Sequence, residues 1–162
     1  MARPVNLIRK FHQLSWSDRL LVLEATLLLA TAAMFIRALP FRMVVRCASL
    51  PVPALEPPLH VRAAAVKGIR WAIEASGRSV PWRAMCFQQG FAAQFMLRRR
   101  GISSVLYYGV APDVARGISA HVWVRNGGLD VVGCETASQY AVLATFPAIA
   151  QTSSDMPSSK QN

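Results

Sequence analysis

Between Leu20 and Leu39 almost every position is apolar or small, broken only by Glu24 and Arg37 among charged residues. Ser15 and Ser17 precede the run, and either can cap a helix that carries Asp18 in its first turn. The pattern predicts a helix to about Ala38, ended or kinked by Pro40. A membrane-spanning helix needs about 20 apolar residues. Here only Ala25 to Ile36 is free of charge, so the expectation is a buried core helix. A short helix over Phe41 to Leu50 follows. The proline-rich stretch Pro51 to Pro58 then reads as extended linker and is the best boundary in the chain. From 60 to 76, Val61, Ala65, Ile69 and Ile73 share one helical face, and Gly77 closes the segment. The next helix opens near Cys86, buries Phe87, Phe91, Phe95 and Met96, and ends at Gly101.

The period then changes. Ile102 to Val110 is rich in β-formers, and Ala111 to Gly117 reads as a loop. Ile118–Asn126 and Leu129–Cys134 form a hairpin around Gly127-Gly128, a strong two-residue turn signal. Tyr140 to Phe146 adds a short element. From Gln151 the polar tail reads as disordered. Helices followed by strands predict an α+β fold. The expected organisation is an N-terminal helical extension (1–50), a linker (51–59), a core domain (60–148) and a tail (149–162).

Composition changes this picture only slightly. The chain of 162 residues is 53% hydrophobic, enough for one buried core, and carries a formal net charge of +10. The charge is spread as single arginines. Its one tight cluster, Arg98-Arg99-Arg100, falls at a helix end where cations suit the dipole. No nucleic-acid reader motif is visible, so no nucleic-acid partner is expected. The basic flanks of the first apolar helix leave a peripheral membrane contact open. Three cysteines, Cys47, Cys86 and Cys134, fit no metal-ligand spacing and are too few for a disulfide scaffold. They point to a reducing, cytoplasmic setting with neither metal nor cofactor. No secretory signal pattern is read at the N-terminus.

Candidate chemistry centres on Cys86 and His121. A thiol in the first turn of a helix meets free backbone N–H groups and the positive end of the dipole, which favour the thiolate. An imidazole nearby can take the thiol proton and return it to a leaving amine. Cys47 lies in an apolar helix and reads as core. Cys134 ends a hairpin strand, facing His121 if the register is regular. His12 and His60 read as surface groups. Trp123, on the same strand face as His121, reads as core packing beside the site, while Trp82 is as well explained by a packing anchor as by lining a cleft.

Cys86 with its apolar helix, Leu97-Arg98-Arg99-Arg100-Gly101-Ile102, Tyr108-Gly109-Val110 and Ala120-His121-Val122-Trp123-Val124 together resemble the transglutaminase-like cysteine peptidase domain of lasso-peptide B proteins. Trp16 to Arg19, the long apolar helix and Leu39-Pro40-Phe41-Arg42 extend the likeness to nearly the whole chain, except the tail. The resemblance implies a papain/transglutaminase-like core, a helix followed by an antiparallel sheet, with an N-terminal helical extension. It also implies removal of a leader segment from a ribosomally made lasso-peptide precursor. Cys86 is then the nucleophile and His121 the general base. The implied partners are the precursor leader, a small leader-recognition protein and an asparagine-synthetase-like cyclase. The family usually carries an Asp near where Gly133 falls. This chain has Asp130 and Glu135 instead, leaving three options for the third member: Glu135, which is preferred, Asp130, or none. In a regular hairpin Asp130 faces Arg125, which explains it as a cross-strand charge pair, and a one-residue bulge would bring Glu135 round to His121. A non-catalytic peptide-binding scaffold and a transglutaminase-like acyl transferase are the alternatives.

Overall fold

The computed structural model describes residues 11, 13–38, 43, 49, 55–115 and 117–148. His12, Cys47 and the rest of the short helix expected over 41–50 apart from Met43 and Ser49, the linker positions 51–54 and the tail from 149 lie outside the described residues. Among the described residues three long helices, α1 (Trp16–Ala38), α2 (Leu59–Ser79) and α3 (Cys86–Arg98), precede four strands. The strands are β1 (Val105–Asp113), β2 (Gly117–Asn126), β3 (Leu129–Val132) and β4 (Ala141–Phe146), with a 3-10 helix, Cys134–Gln139, between the last two. The sheet order is β3-β2-β1-β4, and every pairing is antiparallel. The fold is thus α+β, helices followed by an antiparallel sheet, as expected.

Helix boundaries follow local chemistry. The Ser15 hydroxyl accepts from the Asp18 N–H (3.2 Å) and donates to the Asp18 carboxylate (2.6 Å), capping α1. α2 starts directly after Pro57-Pro58, where proline's fixed φ suits a helix entry. It runs through Gly77 to Ser79 because Gly77 does not adopt the left-handed conformation that would stop it. α3 does stop as expected: Gly101 has φ +65°, and the Ile102 N–H reaches back to Leu97 O (3.1 Å). β1 extends beyond its expected end, through Pro112. That residue pairs with Ile118 of β2, while β4 reaches β1 only as far as Val110, so the missing N–H leaves no sheet bond unmade on that side.

One core holds the helices on the sheet. Leu29 of α1, Ile69 and Ile73 of α2, Met96 and Leu97 of α3, and Leu106, Val124 and Val131 of the sheet are all fully buried in it. α1 contributes one face, through Ala25, Leu29 and Ala32. Its opposite face leaves Trp16, Leu20, Leu23, Leu27 and Met34 exposed, so the helix is half-buried rather than enclosed. By length and composition it could cross a membrane. Glu24 is placed by charge: it is held by Arg99 (3.2 Å) and Arg100 (2.8 Å) from the end of α3. Thr26 of α1 also donates to Ser76 of α2 (3.1 Å).

Gly90 sets the distance between α3 and the sheet. A Cβ there would lie 2.9 Å from Val122 Cγ1 and 3.5 Å from both Leu106 and Val124 methyls. Gly90→Ala gains about 1 kcal/mol of helix propensity, but over-packing against a β-branched core residue costs about 1–3 kcal/mol. Chemical denaturation is expected to find the variant destabilised. Gly68→Ala is the control: its Cβ would meet only the mobile end of Leu21, at 3.3 Å, and the expected outcome is stabilisation of up to about 1 kcal/mol.

Glu56 ties the segment before α2 to the rest. Its carboxylate accepts from the Ser103 hydroxyl and N–H, pairs with Arg62 (2.7 Å) and lies 3.4 Å from the Asn126 amide. The Ser103 hydroxyl above all, with Arg62 and Asn126, holds its pKa below the ordinary 4.5 against the opposing effect of burial. A lowered carboxylate pKa means the unfolded chain binds the proton more readily. The contribution is therefore complete above about 4.5 and is lost as pH falls through the lower native value. Denaturation midpoints measured from pH 6 to pH 3 should fall less steeply in Glu56→Gln than in the parent.

Candidate active site

Cys86 is the first residue of α3. The Gln88 side-chain oxygen accepts the Met85 N–H (3.2 Å), and the first intrahelical bond runs from Gln89 N–H to Met85 O (3.1 Å). The thiol therefore stands where the helix's initial amides precede its bonded ladder. Cys86 lies one turn before Gly90 and so shares the helix face that Gly90 presses onto Val122. The thiol is free and half-buried.

His121 lies next to Val122 on β2. β3 pairs only with Val124, Arg125 and Asn126, so no strand among the described residues flanks this edge at His121. Here a cleft of about 230 Å³ opens, lined by Cys86, Gln89, His121, Val122, Val132 and Gly133. The two residues singled out from sequence thus share one cleft, although they come from different elements. The His121 ring stacks on Trp123 (6.0 Å between centroids) and tilts against Tyr140 (5.0 Å), and Trp123 stacks in turn on Tyr107 of β1 (5.5 Å). Trp123 is almost fully buried and packs beside the site, as expected from its position on the strand. Trp82 packs against the hydrophobic core and does not line the cleft.

The carboxylates behave differently from the preferred expectation. The hairpin starts in the regular register, Asn126 opposite Leu129 and Arg125 opposite Asp130. It then shifts by one residue, so that Val124 pairs with Val132. The bulge exists, yet Glu135 does not reach His121. The chain turns away at Gly133 into the 3-10 helix, and the Glu135 carboxylate pairs with Arg70 of α2. Asp130 pairs with Arg125 (2.8 Å), as the cross-strand reading expected. Neither carboxylate hydrogen-bonds His121. The His121 Nε2 instead lies 2.7 Å from Gly133 O. Cys134 does not face His121 either: its thiol donates to Val124 O (3.3 Å).

Gln89 escaped the sequence reading. Its amide donates to Ala84 O (3.0 Å), which holds the loop before α3 against the helix. Its spacing of three from Cys86, one face of a helix, was the available signal.

A family model described as "Transglutaminase-like superfamily" matches residues 26–145. The chain belongs to the transglutaminase-like superfamily. Members of that superfamily are typically cysteine peptidases or acyl transferases. The match begins inside α1 and ends in β4, so it covers the C-terminal half of α1, all of α2 and α3, and nearly the whole sheet. No curated protein and no solved structure matches this chain.

In this transglutaminase-like chain the two described thiols sit in different surroundings. Burial, and then the nearby Asp130 charge, push the Cys134 thiol above the ordinary 9.0. A raised pKa leaves less thiolate at any given pH, and the thiolate is the reactive form. Alkylation of Cys134, located by peptide mass spectrometry, should reach its half-maximal rate only above pH 9.0 in the native protein and at lower pH after unfolding.

Proposed function

We propose that the protein is a cysteine peptidase that removes the leader segment from a ribosomally made lasso-peptide precursor. The observation that carries the chemistry is the shared cleft of Cys86, at the first position of its helix, and His121. The leader-peptidase assignment rests on the residue pattern around Cys86, Arg98-Arg99-Arg100-Gly101-Ile102 and Ala120-His121-Val122-Trp123. With it we propose a cytoplasmic setting, with a leader-recognition protein and an asparagine-synthetase-like cyclase as partners.

The reaction follows from two groups. His121 accepts the thiol proton as Cys86 Sγ attacks the carbonyl carbon at the end of the leader. Backbone N–H groups at the start of α3 are suited to stabilise the oxygen as it gains charge. The C–N bond breaks, the amine of the core peptide takes the proton from His121, and the leader stays on Cys86 as a thioester. Water then adds, His121 takes its proton, and the leader leaves as a carboxylic acid with the thiol restored.

The same thioester could pass its acyl group to an amine rather than to water, the acyl-transferase reading that the family also supports. In a cleavage assay with precursor and leader-recognition protein, Cys86→Ala is expected to yield no product. His121→Ala should slow cleavage by about 100-fold or more. Equal cleavage by Cys86→Ala and the parent would dispose of the peptidase. With an added primary amine, mass spectrometry separates the two readings: a leader ending in a free acid indicates hydrolysis, and an amide-linked adduct indicates transfer.

A further inference from the structure

We infer that the backbone carbonyl of Gly133, and not a carboxylate, orients His121 and fixes its tautomer. A carbonyl oxygen can only accept a hydrogen bond. The 2.7 Å contact between His121 Nε2 and Gly133 O therefore requires the proton on Nε2. In the neutral ring this leaves Nδ1 as the sole acceptor. Nδ1 is then the only atom of the ring able to take a proton from a thiol in the cleft that His121 shares with Cys86. When the ring becomes doubly protonated, Nε2 still donates to the same oxygen, so the ring is held through the whole cycle.

The backbone is built around this contact. Gly133 has φ +71°, a conformation that side chains rarely take. A Cβ at this position would lie 2.6 Å from Val122 O, 3.3 Å from the Trp123 Cα and 3.3 Å from His121 Nε2. Any side chain here would force the turn and the Val122 backbone apart and crowd the ring. The one-residue shift between β2 and β3 brings the turn alongside His121, while Arg70 and Arg125 hold the two nearby carboxylates elsewhere. Stacking on Trp123 and contact with Tyr140 limit rotation of the ring about its remaining axis. Gly133 is on this view a positioning residue, and its role in catalysis rests on the reading of Cys86 and His121 as the reacting pair.

The test needs no substrate. The full-length protein is labelled with 15N-histidine, and long-range 1H–15N spectra are recorded at a pH where His121 is neutral, with the His121 signals assigned by His121→Gln. The expected result is a protonated Nε2 and an unprotonated Nδ1, in the parent, in Glu135→Gln and in Asp130→Asn alike. A proton on Nδ1, an averaged tautomer, or a change of tautomer in either carboxylate variant would overturn the inference. Gly133→Ala, whose Cβ would meet Val122 O at 2.6 Å and force the turn away from β2, is expected to lose the fixed tautomer. A folded Gly133→Ala that kept it would count against the inference, and if this variant does not fold the parent spectrum decides.

A second measurement separates this inference from the peptidase reading. The rate of Cys86 alkylation by iodoacetamide near pH 7 should fall about tenfold or more in His121→Gln if the two residues act together. It should stay within about twofold of the parent in Glu135→Gln and Asp130→Asn. An unchanged rate in His121→Gln would remove the reacting pair while leaving the tautomer result standing. A loss in Glu135→Gln as large as that in His121→Gln would instead make Glu135 the partner and remove the carbonyl.

Discussion

Helix α3 lies close on the sheet because position 90 has no side chain, and the geometry of the site depends on that approach. With Val122 Cγ1 only 2.9 Å from where a Cβ would stand, one turn of the helix is pressed against the strand that carries His121. Cys86 sits one turn earlier on the same face, so the contact that closes the core also carries the thiol to the edge of β2. Leu106 and Val124 fill the space on either side, and Met96 and Leu97 extend the packing to the end of the helix. A larger residue at 90 would lift the helix and open the cleft from beneath.

The opposite wall of the cleft depends on a different constraint. β2 and β3 begin as a regular two-residue hairpin and then slip by one residue, which increases local twist and ends the pairing early. The slip leaves the edge of β2 unpaired around His121, and the turn at Gly133 runs past the imidazole instead of continuing as strand. The 3-10 helix that follows is anchored from outside, by Arg70 on α2 pairing with Glu135. A charge that could have served the site serves the scaffold. The hydrogen-bond acceptor beside His121 is main chain, fixed by the same fold that fixes the ring.

Charge does structural work elsewhere as well. The high arginine count is partly absorbed by pairs that tie elements together: Arg99 and Arg100 to Glu24, Arg62 to Glu56, and Arg125 to Asp130. Glu24, which looks misplaced in an apolar helix, marks the side of α1 that meets the end of α3. The apolar residues on the other side of α1 remain exposed, so its hydrophobicity exceeds what packing against α2 and α3 can bury.

What could be read from the chain was whatever depends on neighbours in sequence. Period, capping and turn residues are local: Ser15 opening α1, Gly101 closing α3, and Gly127-Gly128 joining β2 to β3 all appear where their chemistry puts them. Cys86 and His121 could be singled out because a first-turn thiol and a strand histidine are each recognisable alone, and the fold brings both to one cleft. Where reading failed, the deciding partner was distant. Gly77 stayed helical, packed beside Ala84 and Gln89, and among the described residues only one face of α1 is covered. Glu135 went to an arginine on another helix, and a one-residue slip in the hairpin decided what stands beside His121. A backbone carbonyl is present at every residue, so composition and spacing carry no trace of the one that matters. Its role is set by a left-handed turn and by the closeness of the neighbouring strand, and only the folded chain determines both.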